Sequence, residues 1–72
     1  MNYEGAKKKA LKLRPDVDIC REHTDAFIFS VKDDISFGGD GPVVILKENG
    51  KAINMADYLD QHTGEFVKEY PV

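Results

Sequence analysis

No pair of residues constrains this chain more than Asn49-Gly50. A two-residue hairpin turn of type I′ needs positive φ at both central positions, which Asn and Gly tolerate best, and here the pair separates two strand-like runs, residues 43–48 and 51–55. We therefore expect a β-hairpin in which Glu48 opposes Lys51, Leu46 opposes Ile53 and Val44 opposes Met55. That register gathers Val44, Leu46, Ile53 and Met55 on one face, and we expect that face to pack beneath the first helix. The opposite face, with Val43, Ile45, Lys47, Ala52 and Asn54, is mixed and fits partial cover by another element.

The first helix is expected over residues 2–14. Tyr3, Ala6, Ala10, Leu11 and Leu13 recur at helical spacing with lysines between them, Asn2 is a capping residue, and Pro15 cannot continue the helix. Beyond Pro15 the period falls to two. Val17 and Ile19 alternate with Asp18, and residues 26–31 are strand formers with Phe27, Phe29 and Val31 on one face. The short polar segment His23-Thr24-Asp25 makes this pair a hairpin. Asp33-Asp34 ends it, and Gly38-Gly39-Asp40-Gly41-Pro42 reads as a loop or bulged start to the next strand. Residues 56–62 fit a helical turn or a loop, and residues 63–70 read as a short helix capped by Thr63 and docked by Phe66, Val67 and Tyr70. The fold class that follows is α+β: an N-terminal helix on a four-stranded antiparallel sheet of two hairpins, with a short C-terminal helix, as a single domain over residues 1–72.

Seventy-two residues allow one core, and with 42% hydrophobic residues the chain has enough core-formers to fold. Cys20 is the only cysteine, so no internal disulfide closes the domain, which points to a reducing, cytoplasmic compartment. Apolar runs such as residues 43–46 are far shorter than the roughly 20 residues of a membrane helix, and no signal peptide is expected because no apolar stretch follows Lys7, Lys8 and Lys9. Charge is lopsided. Residues 1–14 hold five basic side chains against one acid, whereas the remainder is strongly acidic. An acidic body repels nucleic acid and attracts basic protein surfaces, although a plain solubilising surface would look the same.

Little in the sequence suggests catalysis. Cys20 and His23 stand three apart on a strand and so point to opposite faces, with no third group to orient the imidazole. His23, Asp25, Asp33, Asp34 and His62 lack a familiar metal-ligand spacing, and the glycine stretch is followed by a β run rather than the helix a phosphate loop would open. Lys7, Lys8, Lys9, Lys12 and Arg14 lack interleaved aromatics and read as a solvated helix face. Tyr58, Phe66 and Tyr70 read as core and docking aromatics. We expect no enzyme, catalytic residue, metal or cofactor.

The stretch Gly39-Asp40-Gly41-Pro42-Val43-Val44-Ile45-Leu46-Lys47-Glu48-Asn49-Gly50-Lys51 resembles the Gly-x-x-Pro, apolar run, Lys-x-x-Gly pattern of the bacterial immunity protein 35 family. Residues 65–70 are similar to that family's closing helix. Two departures are a shorter stretch from Phe29 to Phe37 and Leu46 where an acidic residue is common. The resemblance implies a helix before an antiparallel sheet, and a protein that binds and neutralises a cognate toxin. The family also contains a small chaperone-like protein, so a general interaction role is the second expectation. On this reading the partner is another protein, with a basic toxin domain suiting the acidic body. Neither nucleic acid nor membrane is expected, and the oligomeric state stays open. Asp33, Asp34, Phe37 and Asp40 are the expected partner-binding residues.

Overall fold

A computed structural model describes residues 2–31, 42–61 and 64–72, the side chain of Gln61 excepted. The order is α1 (Tyr3–Leu13), β1 (Ile19–His23), β2 (Ala26–Ser30), β3 (Val43–Leu46), β4 (Ala52–Asn54), α2 (Met55–Gln61) and β5 (Phe66–Pro71). The fold is α+β, as expected, but the sheet has five strands rather than four, in the order β4-β3-β2-β1-β5. Every neighbouring pair is antiparallel.

The first helix forms for the reasons its sequence supplies. Asn2 Oδ1 accepts the Gly5 N–H at 2.9 Å, and Arg14 leaves helical geometry ahead of Pro15 while its N–H still donates to Ala10 O at 2.7 Å. Ala6 and Ala10 are fully buried, so the helix backbone lies close to the strands, and Phe27, Phe29, Cys20, Val17 and Ile45 complete the core beneath it. Leu13 was grouped with this face by its spacing, yet it is 57% exposed. It lies in the last helical position, next to the Arg14 cap where the chain leaves helical geometry.

The β3–β4 hairpin corrects the expected register. Val44 pairs with Ile53 and Ile45 with Ala52, which leaves a four-residue loop, residues 47–50, in place of a two-residue turn. Asn49 does not take positive φ. Its Oδ1 instead accepts the Lys51 N–H at 2.9 Å, and among the described residues only Gly50, at φ 70°, is left-handed. The slip is by two, so facing is preserved and Val44, Leu46 and Ile53 still share a face. That face does not lie beneath the first helix. It packs with Ala26, Ile28 and Met55 against Tyr58 of α2, while Val43, Ile45 and Ala52 face α1.

The expected C-terminal helix is a strand. Phe66, Val67 and Tyr70 suit either state, but the outer edge of β1 needs a partner for its N–H and C=O groups, and residues 66–71 supply it. Tyr70 lies opposite Cys20 and stacks on Tyr3 at 4.6 Å, with the Tyr70 hydroxyl donating to Glu22 at 2.6 Å. The segment left open between helix and loop is α2, started by Asn54, whose Oδ1 accepts the Asp57 N–H at 2.7 Å. No helix among the described residues is long and apolar enough to cross a membrane.

Candidate functional site

The turn between β1 and β2 gathers side chains from three elements, β1, α2 and β5. Thr24 and Glu65 are bonded twice: the Thr24 N–H donates to Glu65 O at 2.9 Å, and the Glu65 N–H donates to Thr24 Oγ1 at 3.1 Å. The Asp25 carbonyl accepts the Lys47 N–H at 2.9 Å, and its carboxylate accepts the Tyr58 hydroxyl at 2.8 Å. Burial, and then the bond to Asp25, push the Tyr58 phenol up to about 12, so it stays protonated through the neutral range. Gly64 closes the cluster. A Cβ there would lie 2.0 Å from Asp25 Oδ1, so only glycine lets the chain pass this carboxylate where Tyr58 holds it.

His23 belongs to the same junction. Its Nδ1 donates to Gly64 O at 3.1 Å, and its ring stands edge-on between Tyr58 and Phe66, 5.8 and 5.9 Å between centroids. Cys20 is on the opposite face in the α1 core, so thiol and imidazole do not meet. Burial, followed by the charge of Glu22, raises the thiol to about 12, which removes it as a nucleophile at neutral pH.

Beside this polar junction three large apolar side chains are open to solvent: Leu59 of α2 at 67% exposure, and Phe66 and Val67 of β5 at 57% and 49%. Asp57 and Asp60 of α2 and Glu65, which precedes Phe66, are exposed as well. Of the three aromatics expected to dock, Tyr58 is buried and Tyr70 half-buried, whereas Phe66 presents most of its ring to solvent. The main chain of β5 is a poor template for a further strand. The Val72 N–H donates to Asp18 O at 2.9 Å, and antiparallel alternation from that bond directs Tyr70 and Lys68 at β1 and Glu69 outward. Beyond Glu69 the edge meets Pro71, which has no N–H, and on the other side the ladder shifts register at Glu22/His23.

On the α1 side, Glu22 accepts from Lys47 Nζ at 2.6 Å and from the Tyr70 hydroxyl, and those two bonds hold its carboxyl below the usual carboxylate range. Lys47 also lies over the Phe27 ring, 4.9 Å from its centroid. Of the basic residues on the first helix, Lys9 donates to Gly50 O and Arg14 pairs with Asp16 at 3.0 Å, while Lys8 and Lys12 stay exposed. A shallow cavity of about 230 Å³ lies near Asp18, Ile19, Glu69, Tyr70 and Pro71. Among the described residues no group of three or more His, Cys, Asp or Glu side chains is arranged to hold a metal ion.

The expected partner-binding residues Asp33, Asp34, Phe37 and Asp40 lie outside the described residues, as do the glycine stretch and His62. The junction of His23, Asp25, Tyr58 and Gly64 was not anticipated, because its members are up to 41 residues apart and share no motif. The Asn54-x-x-Asp57 spacing at the start of α2 was the one local sign that could have placed Tyr58 on a helix above the sheet. No protein-family model, curated protein or solved structure matches this chain.

Proposed function

We propose that the chain is a protein-binding module that acts stoichiometrically, in the manner of an immunity protein that covers a toxin in the cytoplasm. The observation that carries this reading is the exposure of Leu59, Phe66 and Val67 on the two elements that flank the junction, since large apolar side chains in water cost a small domain solubility unless a partner covers them. Two titratable groups serve packing: the Tyr58 phenol at the junction and the Cys20 thiol in the core under α1 are both held protonated at neutral pH. A free, buried Cys20 suits a reducing compartment. The resemblance of residues 39–51 to immunity protein 35 sequences points the same way.

A chaperone-like role is the second reading, because the same exposed side chains suit transient contact with unfolded chains. Affinity purification of the tagged chain from its native host separates the two. One partner at one-to-one stoichiometry, whose toxic activity is abolished in the complex, supports the immunity reading. A broad set of unfolded clients with suppressed aggregation supports the chaperone-like one, and recovery of neither sinks the proposal. Charge reversal at Asp33, Asp34 and Asp40 and Phe37→Ala weaken the complex if those residues touch the partner.

A further inference from the structure

The two helices give the molecule opposite electrical poles. The first helix holds Lys7, Lys8, Lys9 and Lys12 on one side of the sheet, while α2 on the other side contains Asp57 and Asp60 and no basic residue, with exposed Glu65 following it. Of the four exposed large apolar side chains among the described residues, Leu13 ends the first helix, and the other three, Leu59, Phe66 and Val67, belong to α2 and β5. His23 lies edge-on between Tyr58 and Phe66, so α2 and the start of β5 flank the same end of the sheet, and Leu59, Phe66 and Val67 are the exposed large apolar residues of those two elements. The frame beneath is fixed by the Thr24–Glu65 bonds and by Gly64 against Asp25.

We propose that this end of the sheet is the docking surface, and that its occupant is a basic protein surface bringing an apolar anchor to Leu59, Phe66 and Val67. The assignment rests on the protein-binding reading above and adds to it the place and the charge of the partner. Charge complementarity chooses the occupant, because the exposed Asp57 and Asp60 of α2 and Glu65 just ahead of β5 draw a cationic surface in and repel an anionic one. Two copies meeting symmetrically, acidic pole to acidic pole, would set these acids against one another. Symmetric pairing through β5 is no better: an antiparallel self-pairing centred on Lys68 or on Glu69 places like charges directly opposite. The register shift and Pro71 further shorten that edge, so the contact is made by side chains.

The test uses the full chain, labelled with ¹⁵N, and a synthetic amphipathic helix of leucine and lysine as probe, with a leucine and glutamate peptide beside it. The lysine peptide should shift resonances of residues 57–60 and 64–67, and the glutamate peptide should leave them unmoved. Leu59→Ser with Phe66→Ser should weaken binding by about tenfold or more at all salt concentrations. Asp57→Lys with Asp60→Lys should weaken it by a similar factor at low salt and flatten its salt dependence. All four positions are exposed, and unchanged thermal melts will confirm that both variants fold. Shifts confined to α1, equal binding of the two peptides, or unaltered affinity in both variants would overturn the assignment. So would self-association of the chain abolished by Asp57→Lys, which would make a second copy the occupant. Failure here is distinct from failure of the binding reading itself. If a cognate protein is captured one-to-one and held equally by Leu59→Ser/Phe66→Ser, the docking surface is elsewhere and the binding reading stands.

Discussion

Beneath α1 the sheet meets two alanines, Ala6 and Ala10, and the space between helix and strands is filled by Phe27, Phe29, Cys20 and Ile45. Beneath α2 it meets Tyr58, which brings a hydroxyl into the interior, where Asp25 accepts its hydrogen bond and Gly64 leaves room for Asp25. One layer is limited by volume and the other by satisfaction of polar groups. The first tolerates no loss of size, and the second no loss of a partner. The difference has a functional side, since the polar layer leaves Leu59 and Phe66 outside, whereas α1 leaves Leu13 of its last helical position exposed.

The hardest test of this contrast is Phe29→Ala. Phe29 is fully buried, and its truncation should cost about 3–5 kcal/mol, as much as a domain of this size has in net stability. Urea titration followed by circular dichroism should therefore show no cooperative transition in this variant, and a transition near the wild-type midpoint would show that the α1 layer is not set by volume.

A smaller effect is expected on the other face. Gly64→Ala forces the Asp25 carboxylate away from Tyr58 and should cost about 2 kcal/mol, whereas Tyr58→Phe, which removes the donor alone, should cost about 1 kcal/mol. The two losses overlap, so the double variant should be less destabilised than their sum, and strict additivity would separate Gly64 from the Tyr58–Asp25 bond. The fold raises the Tyr58 pKa, so its contribution is fully present below the ordinary phenol pKa and is lost as pH rises from about 10 toward about 12. Tyr58→Phe should remove part of that alkaline decline, while Cys20, also raised to about 12, and Tyr3, raised by burial, still contribute to it.

The smallest effect sharpens the comparison within the α1 side. Glu22→Gln keeps the shape but weakens the contacts with Lys47 and Tyr70, at about 1 kcal/mol at neutral pH. The fold lowers the Glu22 pKa, so its stabilisation is present above the ordinary carboxylate pKa and is lost as pH falls below about 4. Thermal melts across the acid range should show wild type and Glu22→Gln converging as pH falls, and parallel curves would exclude the network as a source of acid sensitivity.

Where local chemistry decides, the sequence was legible. The first helix, expected over residues 2–14, is Tyr3–Leu13 because an amphipathic run, the Asn2 cap and Pro15 all act within a few residues. The first two strands and their tight turn were legible for the same reason. The C-terminal segment was not. Phe66, Val67 and Tyr70 satisfy a helical face as well as a pleated one, and the choice is made by the edge of β1, whose Arg21 meets Glu69 across 48 residues of chain. In the β3–β4 hairpin, Asn49-Gly50 marked the bend correctly, but the Asn49 side chain took up a backbone donor and lengthened the loop by two residues. The candidate site was hidden most completely, since Tyr58 and Asp25 are 33 residues apart and no spacing rule joins them.

The lateral position of β5 also sets an order of events. Strands β1 and β2 join through a two-residue turn and can pair as soon as both have been synthesised, whereas β1 can complete its outer ladder only when residues 66–71 exist. Each doubling of the loop to be closed costs about 0.6 kcal/mol in chain entropy, so this pairing is the costliest closure in the sheet and a natural last step. Until it forms, a nascent chain on the ribosome would carry β1 as a bare edge, with the Glu22 carboxylate lacking its Tyr70 partner. For a protein this short, the interval between translation of β1 and translation of β5 is when capture by another strand is most dangerous.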